Sequence, residues 1–229
     1  MQSFTQDSTL LLGSRNCIEE LGNKESAKIL IVSDSHRNYF AFEQTIIQNP
    51  DCDALLFCGD GITEITRLAE NALQDKALLK IVPSVIAFVQ GNNDYDMYPI
   101  VNVNANEQND EPYYTQIKVP ANQCVKICGH SIFMTHGHRF SLYNGTEKIE
   151  EVAKSADYKI ALFGHAHIPL QRKVYPDLTI INPGSITFPR GGSPASYSVA
   201  TIKKDNDDID SIFYALLGNK SKPFIPAMY

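Results

Sequence analysis

The chain has 229 residues and a formal charge of −6 at a pI near 5.5. That length suits one large domain with a sizeable core, and the acidic balance argues against a surface built to neutralise a nucleic-acid backbone. Five cysteines, odd in number and without a Cys-x-x-Cys pair, fit reduced, mostly buried thiols in a cytoplasmic protein rather than a disulfide framework.

Residues 1–27 carry Asp7, Glu19 and Glu20 around the short apolar patch Leu10-Leu11-Leu12. This is not the pattern of a signal peptide, and we expect an amino-terminal extension to a single domain over 28–229. No apolar run is long enough to span a bilayer. Lys28 to Ser33 is a continuous apolar run ending in a polar turn, as expected for a strand buried on both faces. Tyr39, Phe42, Ile46 and Ile47 then repeat at helical spacing until Pro50. Ala54 to Cys58 predicts a second buried strand, Ile65 to Leu73 an amphipathic helix, and Ser84 to Val89 a third strand.

The segment 95–114 falls outside this alternation and is rich in Asn and carboxylates, which fits either a lid insertion or a solvated surface excursion. Beyond it, Cys124 to Cys128 and Ser131 to Thr135 flank Gly129-His130 like a hairpin. Asn144 with Glu147 resembles a capping box ahead of a helix striped by Ile149, Val152, Ala153 and Ala156. Strands are predicted over Lys159 to Phe163 and Leu178 to Ile181, and an antiparallel pair over Tyr197 to Ile202 and Ile209 to Tyr214.

The chemistry lies at the ends of these strands. Five of the six histidines fall in Asp34-Ser-His36, His136-Gly-His138 and Gly164-His165-Ala-His167, while Gly59-Asp60 and Gly91-Asn92-Asn93-Asp94 add oxygen donors. Singly, Gly-Asp and Gly-Asn are ordinary turn chemistry. Together, at strand ends where open α/β sheets place functional residues, they form the imidazole and carboxylate set that two adjacent first-row divalent cations need. Asp34 and His36, like His165 and His167, are one residue apart, so an extended backbone would project each pair to one side. The remaining histidine, His130, sits in a Gly-His-Ser turn and is expected to face solvent.

In this order the motifs resemble those of the calcineurin-like metallophosphoesterases, over about Lys28 to Tyr214. The short spacing and Asn182-Pro-Gly-Ser185 are similar to the small YfcE-type phosphodiesterases of that superfamily. The resemblance implies a four-layer α/β/β/α sandwich of two mixed sheets flanked by helices. It implies one metal held by Asp34, His36, Asp60 and His167 and another by Asp60, Asn92, His136 and His165, with Asp60 bridging. Two divalent ions are expected, Mn²⁺ foremost with Fe, Ni or Zn as alternatives. A water shared between ions about 3.5–4 Å apart would lose a proton near neutral pH and attack the phosphorus.

Arg37, Asn93 and Arg139 are candidate substrate contacts, and Arg190 a weaker one. Many members of the superfamily have histidine where this chain has Asn93, and asparagine cannot transfer a proton near pH 7. Asp94 would orient that histidine and is here expected to be structural, while His138 is the residue that could act in its place. The function implied is hydrolysis of small phosphate esters, most specifically phosphodiesters, with Asp60, Asn92 and His138 as catalytic candidates. The alternative is a non-catalytic metal-binding scaffold for a protein partner, like the retromer subunit related to this superfamily. A nuclease would need a basic stripe that this sequence lacks.

Overall fold

In the computed structural model, which describes residues 4–103 and 112–226, the first helix is one that no periodicity announced: α1 (Arg15–Asn23), capped by Ser14 through the Cys17 N–H. Strand–helix alternation follows as predicted, with β1 (Ser26–Val32), α2 (Tyr39–Ile47), β2 (Ala54–Phe57), α3 (Ile62–Gln74), a short α4 (Lys76–Ile81) and β3 (Val85–Phe88). A side ribbon comes next, β4 (Met97–Val103) paired antiparallel with β5 (Pro112–Lys118). The segment expected as a lid or a surface excursion thus has strands at its flanks, and its middle, 104–111, lies outside the described residues.

The second half contains β6 (Asn122–Ile127), β7 (His130–Thr135), α5 (Glu147–Ser155), β8 (Ile160–Leu162), β9 (Leu170–Val174) and β10 (Leu178–Asn182). It ends with β11 (Ser196–Lys203), β12 (Asn206–Leu217) and β13 (Lys220–Phe224). The strands build a six-stranded sheet in the order β13-β12-β11-β1-β2-β3 and a five-stranded sheet in the order β6-β7-β8-β10-β9. Both are mixed: β1, β2 and β3 run parallel with β11 antiparallel, and β7, β8 and β10 run parallel with β6 and β9 antiparallel.

Alternation along β1 explains the layering. Ile29 and Ile31 enter a core shared with Val125, Met134, Leu162 and Ile181 of the second sheet, whereas Leu30 and Val32 face Phe42 and Ile46 of α2 and Ile65 and Leu68 of α3. On the far side Phe133, Ala161 and Ile180 pack against Ile149 and Ala153 of α5. The result is the expected four-layer sandwich, and it accounts for the uninterrupted apolar runs, since these strands are covered on both faces. Each such aliphatic side chain contributes about 1.5–3 kcal/mol by leaving water.

The amino-terminal segment joins this core. The Leu12 N–H and C=O bond to Ile86 O and N at 2.9 Å each, and Phe4, Leu11 and Leu12 are buried. Two local expectations change. Asn144 ends a 3₁₀ turn (Leu142–Asn144), and the residue before α5 is Thr146, whose hydroxyl bonds Glu150 rather than the helix backbone. Cys124 is exposed, because β6 alternates with its even residues outward, while Cys52, Cys58 and Cys128 are buried. No helix among the described residues is long and apolar enough to cross a membrane.

Candidate metal centre

The five motifs meet where the carboxyl ends of β1, β2, β3, β7 and β8 converge, so both sheets contribute to one site. The backbone there is not extended as the alternation argument assumed. Asp34, His36, Asp60, His165 and His167 all have positive φ, between +45° and +64°, a left-handed conformation that costs a non-glycine residue about 1–2 kcal/mol. Each side chain is therefore aimed by a tight turn. The turns are tied together, with the Asp34 N–H on Gly59 O and the His36 N–H on Asp60 O, both at 3.0 Å.

Two donor clusters result, Asp34 with His36 and His167, and Asp34 with Asp60 and His136, the donor atoms of each lying within 4.8 Å of one another. Asp34 Oδ1 is 3.1 Å from His167 Nε2, 3.7 Å from His36 Nε2 and 4.0 Å from His136 Nε2. Asp60 Oδ2 faces His136 Nε2 at 3.5 Å and His36 Nε2 at 3.8 Å, so both carboxylates stand between the clusters. Asn92 Oδ1 lies 3.2 Å from His136 Nε2. His165 is outside both clusters: its ring centroid is 5.1 Å from that of His136, and its backbone N–H donates to Asp34 Oδ2.

The protonation pattern suits cations. His136 Nδ1 is 2.7 Å from the Cys58 carbonyl and His167 Nδ1 is 2.6 Å from the Phe188 carbonyl. A carbonyl only accepts, so each ring carries a proton on Nδ1 and, when neutral, presents the Nε2 lone pair to the site, with its orientation held from behind as metal-binding histidines require. His36 Nε2 and His167 Nε2 approach to 3.2 Å. Asp34 Oδ1 is fully buried without a hydrogen-bond partner among the described residues. Its 3.1 Å contact with His167 Nε2 is a hydrogen bond only if that ring is doubly protonated. An unsatisfied buried carboxylate oxygen is costly, and a shared cation removes the cost. The donor set thus fits the expected ions.

The sequence profile of the calcineurin-like phosphoesterase superfamily domain matches residues 27–205. The chain belongs to that superfamily. It is 27% identical over 195 residues to phosphodiesterase YfcE of Escherichia coli (strain K12), covering 81% of this chain and 91% of that protein. With the probable metallophosphoesterase YsnB of Bacillus subtilis (strain 168) it shares 29% identity over 194 residues, covering 84% and 93%. The structure of vacuolar protein sorting 29 from Cryptosporidium parvum superposes with a TM-score of 0.62 at 16% identity, covering 88% of this chain and 97% of that one, which is a likeness of fold.

Beside the donor clusters, Asn93 binds Asp60 twice, through its backbone N–H to Oδ1 (2.8 Å) and its Nδ2 to Oδ2 (2.7 Å). Asp94 accepts the N–H groups of Asp60, Gly61, Ile62 and Gly91 and so fastens the Asp60 turn to the start of α3. Gly91 is required by close approach: a Cβ there would lie 2.0 Å from Asp60 Oδ1. Arg37, Arg139 and Arg190 are exposed, and Arg139 bonds His138 Nε2 and Gln90. His138 stands with its ring 5.4 Å from that of His136. His130 lies apart, bonded to Lys203 O at the far end of β7.

Electrostatics separate these groups. Burial works against the Asp60 carboxylate, yet His136 and the Asn93 donors outweigh it and hold its pKa well below the usual range. Burial likewise opposes protonation of His136 and His167, but Asp60 and Asp34 for the first, and Asp34 for the second, keep both above the ordinary imidazole value. His138 and His165 are lowered, by burial first and then by the proximity of His136, to which Arg139 adds at His138.

Sequence reasoning did not identify the clamps behind the ligands. Ser185 Oγ donates to Asp34 O, Thr187 Oγ1 to Ser35 O and Asn182 Nδ2 to Gly164 O, all at 2.8 Å, so the Asn-Pro-Gly-Ser segment braces both ligand loops. Ser35 Oγ donates to the buried Glu64. The only signal was Asn182-Pro-Gly-Ser185 itself, a turn at the end of a buried strand.

Proposed function

We propose that this chain is a metal-dependent phosphodiesterase that holds two divalent cations, Mn²⁺ foremost, and hydrolyses small phosphodiesters in the cytoplasm. The observation that carries the reading is the buried Asp34 Oδ1, without a hydrogen-bond partner among the described residues when the rings are neutral, facing the Nε2 of His167, whose ring is fixed by a backbone carbonyl. Asp34, His36 and His167 would hold one ion. Asp60, Asn92 and His136 would hold the other, with His165 closing its shell and Asp60, alongside Asp34, standing between them. Bound there, the ions would supply an acidified water and Lewis-acid stabilisation of the phosphoryl oxygens.

The protein's own part is placement. Asn93 and Asp94 fix Asp60, and Asn92 adds a neutral oxygen that leaves the centre net positive for an anionic ester. Arg37 stands at the mouth with a guanidinium suited to phosphate oxygens, and Arg139 would do so once released from His138. His138 enters as a neutral imidazole, because its pKa is lowered. The likeness to vacuolar protein sorting 29 is one of fold and does not select the scaffold reading. The test is hydrolysis of an aryl phosphodiester after reconstitution with single metals; inactivity with every metal would favour the scaffold.

Ligand assignment has its own test. His167→Ala is expected to empty chiefly the Asp34–His36 side, and His165→Ala to weaken the Asn92–His136 side. Metal occupancy from anomalous scattering reads this directly, and full occupancy of both sites in both variants would remove these histidines from the ligand set.

Metal uptake should also depend on pH with a definite sign. Because Asp60 and Asp34 raise the pKa of His136, and Asp34 that of His167, above the ordinary imidazole value, a cation competes with protons for their Nε2 atoms. Affinity therefore falls as pH drops through those raised values, by about tenfold per unit for each proton displaced. Titration of Mn²⁺ binding from acid to mildly alkaline pH measures it; an affinity independent of pH would contradict the assignment.

A further inference from the structure

Glu64 is a buried carboxylate, 2% exposed, whose oxygens are met by two neutral hydroxyls, Ser35 Oγ at 2.8 Å on Oε1 and Thr63 Oγ1 at 2.6 Å on Oε2. Burying a carboxylate against neutral partners is costly, and the start of α3 only lessens that cost. A common role for a glutamate at the third residue of a helix is to reach back to the N–H of the residue before the helix. Here that residue is Gly61, and its N–H, like that of Ile62, donates to Asp94 Oδ1 instead. The Glu64 side chain is turned onto Ser35, the residue between the ligands Asp34 and His36, both of which have positive φ. Ser35 is fully buried, and its Oγ stands so close to Gly61 that a Cβ there would lie 1.8 Å away. The Ser35 hydroxyl has Glu64 Oε1 at 2.8 Å and Asp60 O at 3.5 Å, so the carboxylate is the stronger acceptor.

We propose that Glu64 is a positioning residue of the metal centre: through the Ser35 hydroxyl it holds the Asp34–His36 turn in the shape that directs both side chains at one cation. The inference rests on the reading of the site as a metal centre. Asp94 and Glu64 divide the work at the start of α3. Asp94 fastens the Asp60 turn there through the N–H groups of Asp60, Gly61 and Ile62, and Glu64 fastens the Asp34–His36 turn through Ser35. One helix end thereby sets the spacing of two ligand turns. Left-handed residues cost about 1–2 kcal/mol each, so the turn depends on such ties to keep its shape. Groups that orient metal ligands from behind are worth about 10–100-fold in metal affinity.

The test is Mn²⁺ binding by the full chain, read by calorimetry, with the occupancy of each side read by anomalous scattering at limiting Mn²⁺. Glu64→Ala and Ser35→Ala should each lower affinity on the Asp34–His36–His167 side by about 10–100-fold, and the Asn92–His136 side should lose less. Glu64→Gln keeps an acceptor for the Ser35 hydroxyl and should retain wild-type affinity. The double alanine variant should lose no more than either single one, because both remove the same bond. Additive losses, or equal losses on the two sides, would mark a general loosening of the fold and overturn the positioning role. Wild-type affinity in Glu64→Ala, or a Glu64→Gln as impaired as Glu64→Ala, would overturn it too. If the alanine variants do not fold, Glu64→Asp decides against Glu64→Gln: the aspartate, one methylene short of Ser35, should lose affinity on the Asp34–His36–His167 side, and equal affinity in the two would overturn the role. A wild type that takes up no Mn²⁺, Ni²⁺ or Zn²⁺ would overturn the metal-centre reading itself and the role of Glu64 with it, whereas impaired positioning alone leaves wild-type binding intact.

Discussion

Asp60→Asn is expected to lower kcat/KM for an aryl phosphodiester by about 10²–10³-fold, the cost of losing one preorganised electrostatic partner in a dry site. Asp34→Asn should be as damaging, since Asp34 belongs to both donor clusters and its free oxygen is the one without a hydrogen bond. Each variant removes a charge without changing shape. Asp34 Oδ2, which accepts from Ser33 Oγ and the His165 N–H, can still be an amide oxygen, so the turn is expected to survive. Metal stoichiometry by mass spectrometry alongside the kinetics separates lost binding from lost chemistry. Full activity in either variant, or in wild type held in chelator, would contradict the two-metal reading.

The second large effect concerns the leaving group. Asn93 supplies no proton, and its backbone N–H and one Nδ2 hydrogen are committed to Asp60. His138 has a lowered pKa and receives the Arg139 N–H on Nε2, which makes it a poor acid at neutral pH. Wild type should therefore cleave aryl esters much faster than alkyl esters, by about the 10²–10⁴-fold that general acid catalysis is worth. The slope of log kcat/KM against leaving-group pKa, measured where chemistry limits the rate, should be steep. A shallow slope would assign proton donation to His138. Asn93→His is expected to give little rescue, because the Asp94 carboxylate that would orient the new ring already accepts four backbone N–H groups.

How much of this was legible in the sequence follows from where the physics is local. Strands β1, β2 and β3 announced themselves because burial on both faces leaves a run with no polar break, and the motifs were visible because each ends such a run. Helix α1 was not, since it packs only an edge of the inter-sheet core with Leu21 and parts of Cys17 and Ile18. Strands β9 and β13 read as polar because each is the edge of its sheet. Within the site, residue type gave the donors but not their geometry. The left-handed turns are held by contacts between segments distant in the chain, such as Ser185 Oγ on the Asp34 carbonyl, and no spacing rule contains them.

Those turns also set how the protein can be improved. Positions 34, 36, 60, 165 and 167 hold non-glycine residues where glycine would sit more easily, a local disadvantage of about 1–2 kcal/mol apiece. Directed evolution for heat resistance in the presence of chelator would reward glycine or asparagine at these five positions and deliver a hardier, inert protein. The same selection with cations supplied would not, because ligand binding adds to the stability of any chain that retains the donors. The additive in the screening buffer, more than the library, would determine whether a thermostable variant of this chain still binds its metals.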